Sequence, residues 1–543
     1  ESVRVGGALN IPLTENLRQR FAGYYLERDG YTENLATGNN IDGRSQWGFR
    51  SSTQVDFSPN TTADLGLGWY EEDRSRAREA KRLCTADAVL GCSPVSLGFD
   101  SPNSYTTILR TLLDGFLPPS VFPNGTDIYA GAPNPRNLRQ VAADTDPTFT
   151  AEQFFGTLDI THDFGSLTFT SVTGYSWSDT EQNTDWDNAD LPFRFGAPIT
   201  YSVDRDTVVT TDRLLTTDSF TGKNQTWSQE LRLSSDFDGF FNFTVGAFYL
   251  DSKGSGGFFT WHPAVEVFQR ALGRPPETWF VNTATLRSTT EAAALFGQGY
   301  FDLSPATTLT LGARYTEEEK FSRSRSIVLS GVVPVIEAGA SWDNFTWRVA
   351  LDHQLTDDNL IYASLSTGFK GGGLNPGNAT APSFEPETVT AFEVGSNNMF
   401  FDRTLRANFA GFYYDYADLQ LGQRINAGVT TRNADATVWG LEAEFDWRPT
   451  DRLQFNMNLS HLNTEIGEFL SIDAANPAQS LVATTPTVAV TLAGNQLPHS
   501  PEYKINLGAQ YTWDLGGGWE STLRADVLWQ DDYFAREYNS ATD

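Results

Sequence analysis

The residues best suited to acid–base work near neutral pH are five histidines: His162, His262, His353, His461 and His499. They fall in separate segments, and none sits in a HExxH or a Cys-His pattern. No GxSxG occurs, so no nucleophile meets a base at a suggestive spacing, and the chain reads as no enzyme. Asp185, Asp187 and Asp190 (TDWDNAD) place oxygen ligands close together but lack the glycine and distal glutamate of a calcium loop, so no metal site and no cofactor is expected. Cys84 and Cys92 (KRLCTADAVLGC) are the only cysteines. Two thiols cannot complete a tetrahedral zinc site, whereas a close pair fits an oxidised loop staple in an exported protein. Binding is the better lead. Trp186, Phe193 and Tyr201 share one polar stretch, and Trp261, His262, Trp279 and Phe280 another. Rings beside polar groups suit a siderophore, a haem-like ring or a sugar. Asp185, Trp186, Asp187, Trp261, His262 and Trp279 are therefore the candidate ligand contacts, exposed on loops. The competing reading is that the same rings pack the loops against each other.

The elements that must carry these loops are strands. In 453–460, Leu453, Phe455, Met457 and Leu459 alternate with Gln454, Asn456, Asn458 and Ser460. In 503–513, Tyr503, Ile505, Leu507, Ala509, Tyr511 and Trp513 alternate with Lys504, Asn506, Gly508, Gln510 and Thr512. A period of two puts the sets on opposite faces of a pleat. Segments of about ten residues with one apolar and one polar face, repeated many times, are the mark of a membrane-spanning β-barrel. The apolar sets, with Phe243 and Val245, are expected to face outward. The polar sets, with Asn242 and Thr244, are expected to face the lumen.

Composition agrees. The chain has 543 residues without a run of about 18 apolar ones, so no transmembrane helix is expected. Mean hydropathy is −0.36, and aromatic residues make up 13%, a high share. They cluster at strand ends (Trp69, Tyr70, Tyr175, Trp177, Trp447, Trp513, Trp529), where a barrel carries its aromatic girdles. A net charge of −30 argues against nucleic acid as a partner.

Nine tight turns are expected near 12–16, 57–62, 163–166, 236–239, 303–307, 355–359, 401–404, 448–452 and 514–518, each holding Pro, Gly, Asn or Asp. Between the hairpins lie long polar stretches: 73–150, 181–225, 252–290, 317–341 and 464–496. Short turns on one side and long loops on the other describe an outer-membrane barrel, short side periplasmic. Nine turns imply about 18 strands in an all-β, antiparallel, up-and-down barrel. Glu1 starts inside a strand-like run and Asp543 lies in a polar segment, so the chain reads as part of a longer protein.

The run 361–377 (IYASLSTGFKGGGLNPG), with Tyr362, Ala363, Gly368, Phe369 and Lys370, precedes Pro386, Glu387, Glu393 and Gly395. This order resembles the TonB-dependent receptors of Gram-negative outer membranes. Residues 6–31 and 497–508 are similar to other parts of that family's barrel. The resemblance implies a 22-stranded barrel around a plug domain, preceded by a TonB-contact segment. Residues 1–543 would then be the barrel domain, incomplete at both ends and without the plug. It further implies an outer-membrane monomer in contact with lipid, with TonB and a small nutrient such as an iron–siderophore complex as partners. A general porin of 16–18 strands, a carbohydrate-specific TonB-dependent transporter and a soluble carbohydrate-binding β-protein are the alternatives. Gly371, Gly372 and Gly373 lack the Lys-Ser/Thr ending of a phosphate loop, so they are read as a loop folded tightly over the mouth. Lys370 is read as a rim or lumen charge. Glu393, Glu442 and Glu444 share the inward face with Arg314 and Arg406, where structural pairing is expected.

Overall fold

The computed structural model describes residues 1–76, 81, 83–87, 91–93, 96–102, 108–328, 331–425, 428–471, 473 and 489–540. Among them one sheet dominates. It contains 18 long strands and the two-residue piece Gly331–Val332. The long strands are β1 (Ser2–Thr14), β2 (Leu17–Arg28), β3 (Arg44–Ser58), β4 (Thr61–Arg74), β5 (Thr148–Asp163) and β6 (Leu167–Asp185). There follow β7 (Thr217–Ser235), β8 (Phe241–Trp261), β9 (Val281–Ser304), β10 (Thr307–Val328), β11 (Ile336–Thr356) and β12 (Asn359–Lys370). The last are β13 (Glu387–Phe400), β14 (Leu405–Ile425), β15 (Gly428–Thr450), β16 (Leu453–Ile466), β17 (Tyr503–Gly516) and β18 (Trp519–Gln530). Each pairs antiparallel with the next, an up-and-down meander. All nine expected turns are present at one end.

Register separates the two faces. Phe445, Met457, Leu507 and Val527 form one row across four strands. One residue on, Asp446, Asn456, Gly508 and Asp526 form the next row on the other face. Val245 pairs with Leu233 and Gly297, whereas Thr244 pairs with Ser234 and Gln298. Directly opposed residues share a face, so the expected outward and lumenal sets are kept apart. Trp69, Tyr175, Trp177, Trp447, Trp513 and Trp529 lie with the apolar rows. Tyr70 does not. It alternates with Trp69, faces inward and bonds to Gln46 and Glu72.

The inward face seats its rings flat. A Cβ on Gly48, Gly68, Gly246, Gly395 or Gly440 would lie 2.2–2.7 Å from the ring of Tyr24, Phe155, Phe296, Tyr362 or Phe412 on the adjacent strand. Glycine thus lets aromatic side chains lie along the wall instead of filling the lumen.

The long stretches correct one expectation. They are not loops throughout, because the strands run on into them. β9 has 24 residues; at about 3.4 Å per residue and a tilt near 45°, it rises far beyond an apolar band about 25 Å tall. The extensions carry Ser, Thr, Gly and charge on both faces, so they show no period-two signal. Beyond them the connections fold into a cap. It contains α1 (Ile108–Phe116), α2 (Pro263–Ala271) and the hairpin of Arg194–Ser202 with Val208–Arg213. Leu113, Phe122, Ile128, Leu191, Phe195 and Leu214 form its core. Burial of this core holds the connections together as a compact layer.

Candidate ligand-binding face

Asp185 ends β6 and pairs with Thr217, the first residue of β7. The connection between them folds back over this edge and buries Asp185 and Asp187 at 6% and 4% exposure. Asp185 accepts the Asp144 and Asp187 backbone N–H groups, both at 3.1 Å, and Asp187 accepts that of Ala189, also at 3.1 Å. These short turns satisfy part of the carboxylate hydrogen-bonding capacity. Burial, and then the charge of Asp187, push the Asp144 carboxyl up to about 8 and raise Asp185 as well. Arg213 pairs with Asp190 at 2.9 Å, and its charge opposes the rise at Asp144. Among the described residues no group of three or more His, Cys, Asp or Glu side chains could hold a metal ion.

The second stretch lies against the first. His262 caps the N-terminus of α2, its Nδ1 accepting the Ala264 N–H at 3.0 Å. Complete burial pushes it down to about 3, so the imidazole is neutral. Its ring meets Trp186 edge-on, with centroids 5.7 Å apart. Trp261 packs against Phe280 in a tilted arrangement, centroids 4.4 Å apart. Trp279 donates to the Arg274 carbonyl at 3.0 Å and lies under the Arg270 guanidinium at 4.2 Å. The loop aromatics expected to be exposed are thus largely packing groups. Trp261, His262 and Tyr201 are buried, while Trp186 and Trp279 stay half-exposed. The reason is tertiary packing in the cap and, for Trp261, in a separate cluster with Phe280 and Ile327, which the sequence does not reveal.

Cys84 and Cys92 form a disulfide with Cα atoms 5.3 Å apart.

On the inward wall, Phe412 and Tyr414, which carry no sequence signal, join the groups expected there. Tyr362 donates to Glu393 at 2.8 Å. Phe412 and Tyr414 stack at 4.9 Å on the neighbouring strand. Glu442 and Glu444 have no ion-pair or hydrogen-bond partner among the described residues. Arg314 donates to Thr316 at 3.0 Å and lies between the rings of Phe248 and Phe296. The expected pairing of Glu393, Glu442 and Glu444 with Arg314 and Arg406 is therefore corrected. Arg314, on β10, is several strands from these acids; Arg406 is on β14 between them, but register sets it opposite Met399 and Asp446, and it makes no ion pair with them among the described residues. Lys370 ends β12, 3.6 Å from Glu387. Two open hollows lie on this wall. One of about 510 Å³ is lined by Arg18, Arg20, Arg50, Gln54 and Asp64, and one of about 610 Å³ by Arg232, Gln298, Tyr300, Arg314 and Arg348.

An apolar outer face, a polar inner wall and a cored cap define a transmembrane β-barrel. Residues 94–543 match the family model for the TonB dependent receptor-like β-barrel, and the chain belongs to that family. Its members are outer-membrane receptors and transporters of Gram-negative bacteria and not enzymes, and this chain is an outer-membrane barrel. A probable TonB-dependent siderophore receptor, PiuA, of Acinetobacter baumannii is 24% identical over 321 residues, 53% of this chain and 41% of the relative. The pesticin receptor of Yersinia pestis is 24% identical over 285 residues, 48% of this chain and 41% of the relative. The aligned region thus spans less than half the length of these curated relatives. Among solved structures, the ferric yersiniabactin uptake receptor FyuA of Yersinia pestis superposes with a TM-score of 0.67 at 14% identity, covering 99% of this chain and 68% of that one. The PiuA siderophore receptor structure gives 0.65 at 16% identity, covering 99% and 71%. These superpositions speak to the fold.

Proposed function

We propose that the chain is the barrel of a receptor that binds a scarce nutrient, a ferric siderophore or similar iron complex, at the outer face and imports it with energy supplied through TonB. The observation that carries this reading is the family match over a barrel with a polar inner wall and long connections that fold into a cored layer. A passive pore has no evident use for such a cap. In this reading a plug domain fills the lumen and a TonB-contact segment precedes it. Trp186 and Trp279, half-exposed on the cap, are the ligand contacts. Asp185, Asp187, Trp261 and His262 are positioning residues that hold the cap segments under those rings.

The test is transport by the full-length protein. Uptake of an iron complex should saturate and should stop when the proton-motive force is collapsed. Flux that rises in proportion to concentration and needs no energy would instead identify a porin. Saturable, energy-dependent uptake of an oligosaccharide but not of iron complexes would favour the carbohydrate-specific alternative.

A further inference from the structure

The glycine run after β12 has a fixed partner on each side. Lys320 of β10 donates to the Gly372 carbonyl at 2.6 Å and pairs with Glu318 at 2.6 Å. A Cβ on Gly371 would lie 2.2 Å from the Glu318 carboxylate, and one on Gly372 would lie 2.4 Å from the Trp342 ring. Farther along, the Gly377 N–H donates to Ser324 of β10 at 2.8 Å. Alternation along β10 and β11 places Glu318, Lys320, Ser324 and Trp342 on the inward face.

The other side is held by β14 and β15. The Asn375 side chain copies a strand, donating to the Thr431 carbonyl at 3.1 Å and accepting the Thr431 N–H at 2.8 Å. Asn378 donates to Thr430, also inward by alternation, at 2.9 Å. Gln420 donates to the Gly371 carbonyl at 2.9 Å. Asn433 accepts the Glu385 N–H at 3.0 Å and donates to its carbonyl at 2.9 Å. Between the two anchorages lie β11, β12 and β13. β12 ends at Lys370 and β13 begins at Glu387, and above them the adjacent residues Gly377 and Asn378 bridge directly from Ser324 of β10 to Thr430 of β15.

We propose that residues 371–386 form a permanent strap across the inner face of the mouth and set the size of molecule that reaches the lumen wall. The size limit on cargo rests on the uptake reading above; the geometry of the strap does not. A hinged lid would have anchors on one side only. Here both sides are anchored, by backbone-directed bonds and by glycines with no room for a side chain. The strap is therefore part of the wall.

The test reads access, not transport, so it can fail or succeed whatever the protein carries. Ser366 lines the larger wall hollow on the inward face of β12. In the full-length protein in its membrane, Ser366→Cys should react with a small methanethiosulfonate and not with a maleimide carrying a large polyethylene glycol. Gly372→Val with Asn375→Ala, or Asn375→Ala alone if the pair does not fold, should raise the rate with the large reagent tenfold or more. An Asn378→Cys/Thr430→Cys disulfide should leave the small-reagent rate unchanged. Rapid large-reagent labelling with the native strap overturns the size limit. A tenfold slowing of the small reagent by the disulfide overturns permanence. Hydrogen exchange gives a second measure: the Asn375 and Thr431 amides should be as protected as those of β15, and fast exchange at both would also reject a permanent strap.

Discussion

Tyr362 donates its phenol proton to Glu393 at 2.8 Å while its ring lies across Gly395. The two residues sit on adjacent strands, and the missing side chain at Gly395 lets the bond form with the ring flat against the wall. A Cβ there would also lie 2.5 Å from the Phe409 carbonyl oxygen, which cannot move without breaking the ladder. Gly395→Val should therefore destabilise the folded barrel by about 1–3 kcal/mol, and Tyr362→Phe by about 1 kcal/mol. Urea titrations in lipid measure both. A Gly395→Val protein as stable as the native one would refute the packing.

The outer face makes a complementary prediction. Met457 and Leu507 are directly opposed on the lipid side. Lys or Arg at either should cost about 2–4 kcal/mol if that level is near the bilayer midplane. The same substitutions at Gln454 or Gln510, on the inward face, should cost much less. Equal losses on both faces would contradict the assignment.

Two polar clusters break the apolar outer face, and each is satisfied internally. Gln229 accepts from Thr173 at 2.7 Å and donates to Ser171 at 3.0 Å. Gln19 accepts from Thr53 at 2.5 Å and donates to Ser51 at 2.9 Å. Replacing one glutamine by Ala strands two hydroxyls in lipid, so Gln229→Ala should destabilise more than Gln229→Leu combined with Thr173→Val and Ser171→Ala. Comparing the single and the triple variant in the same titration checks the order.

The buried acids predict a pH dependence. Asp144 has its folded value raised to about 8, above an unfolded value near 4. Protonation then favours the folded cap. The stability is fully present below about pH 4 and is lost as pH rises toward 8, because the unfolded form ionises first. Hydrogen exchange of segment 140–147, corrected for intrinsic rate, should show protection falling between pH 5 and pH 9. Asp144→Asn should flatten the curve. Equal protection at both pH values in the native protein would count against it.

The disulfide predicts a local effect. Thiol counting on unreduced, denatured protein should find none. Cys84→Ser with Cys92→Ser should raise protease cutting near the 84–92 loop while changing global stability little, because the closed loop is short. A large drop in global stability would show that the staple organises more than its own loop.

The sequence alone makes the barrel, its two faces, its nine turns and the close pair of cysteines legible. Period-two alternation and turn residues are local signals, and lipid imposes them strand by strand. It also carried the motifs around Tyr362, Lys370 and Glu393 that resemble the receptor family. The remaining residues owe their surroundings to contacts between distant segments. Asp185, Trp261 and His262 look like exposed loop residues in sequence, yet all three are buried where distant segments meet, Trp261 in a cluster with Phe280 and Ile327. Strands such as β9 run on past the membrane unmarked, because above the lipid neither face need be apolar. The partners of Gly372 and Asn375 lie on β10 and β15, some fifty residues away in either direction, and contacts at that distance leave no periodic trace in the chain.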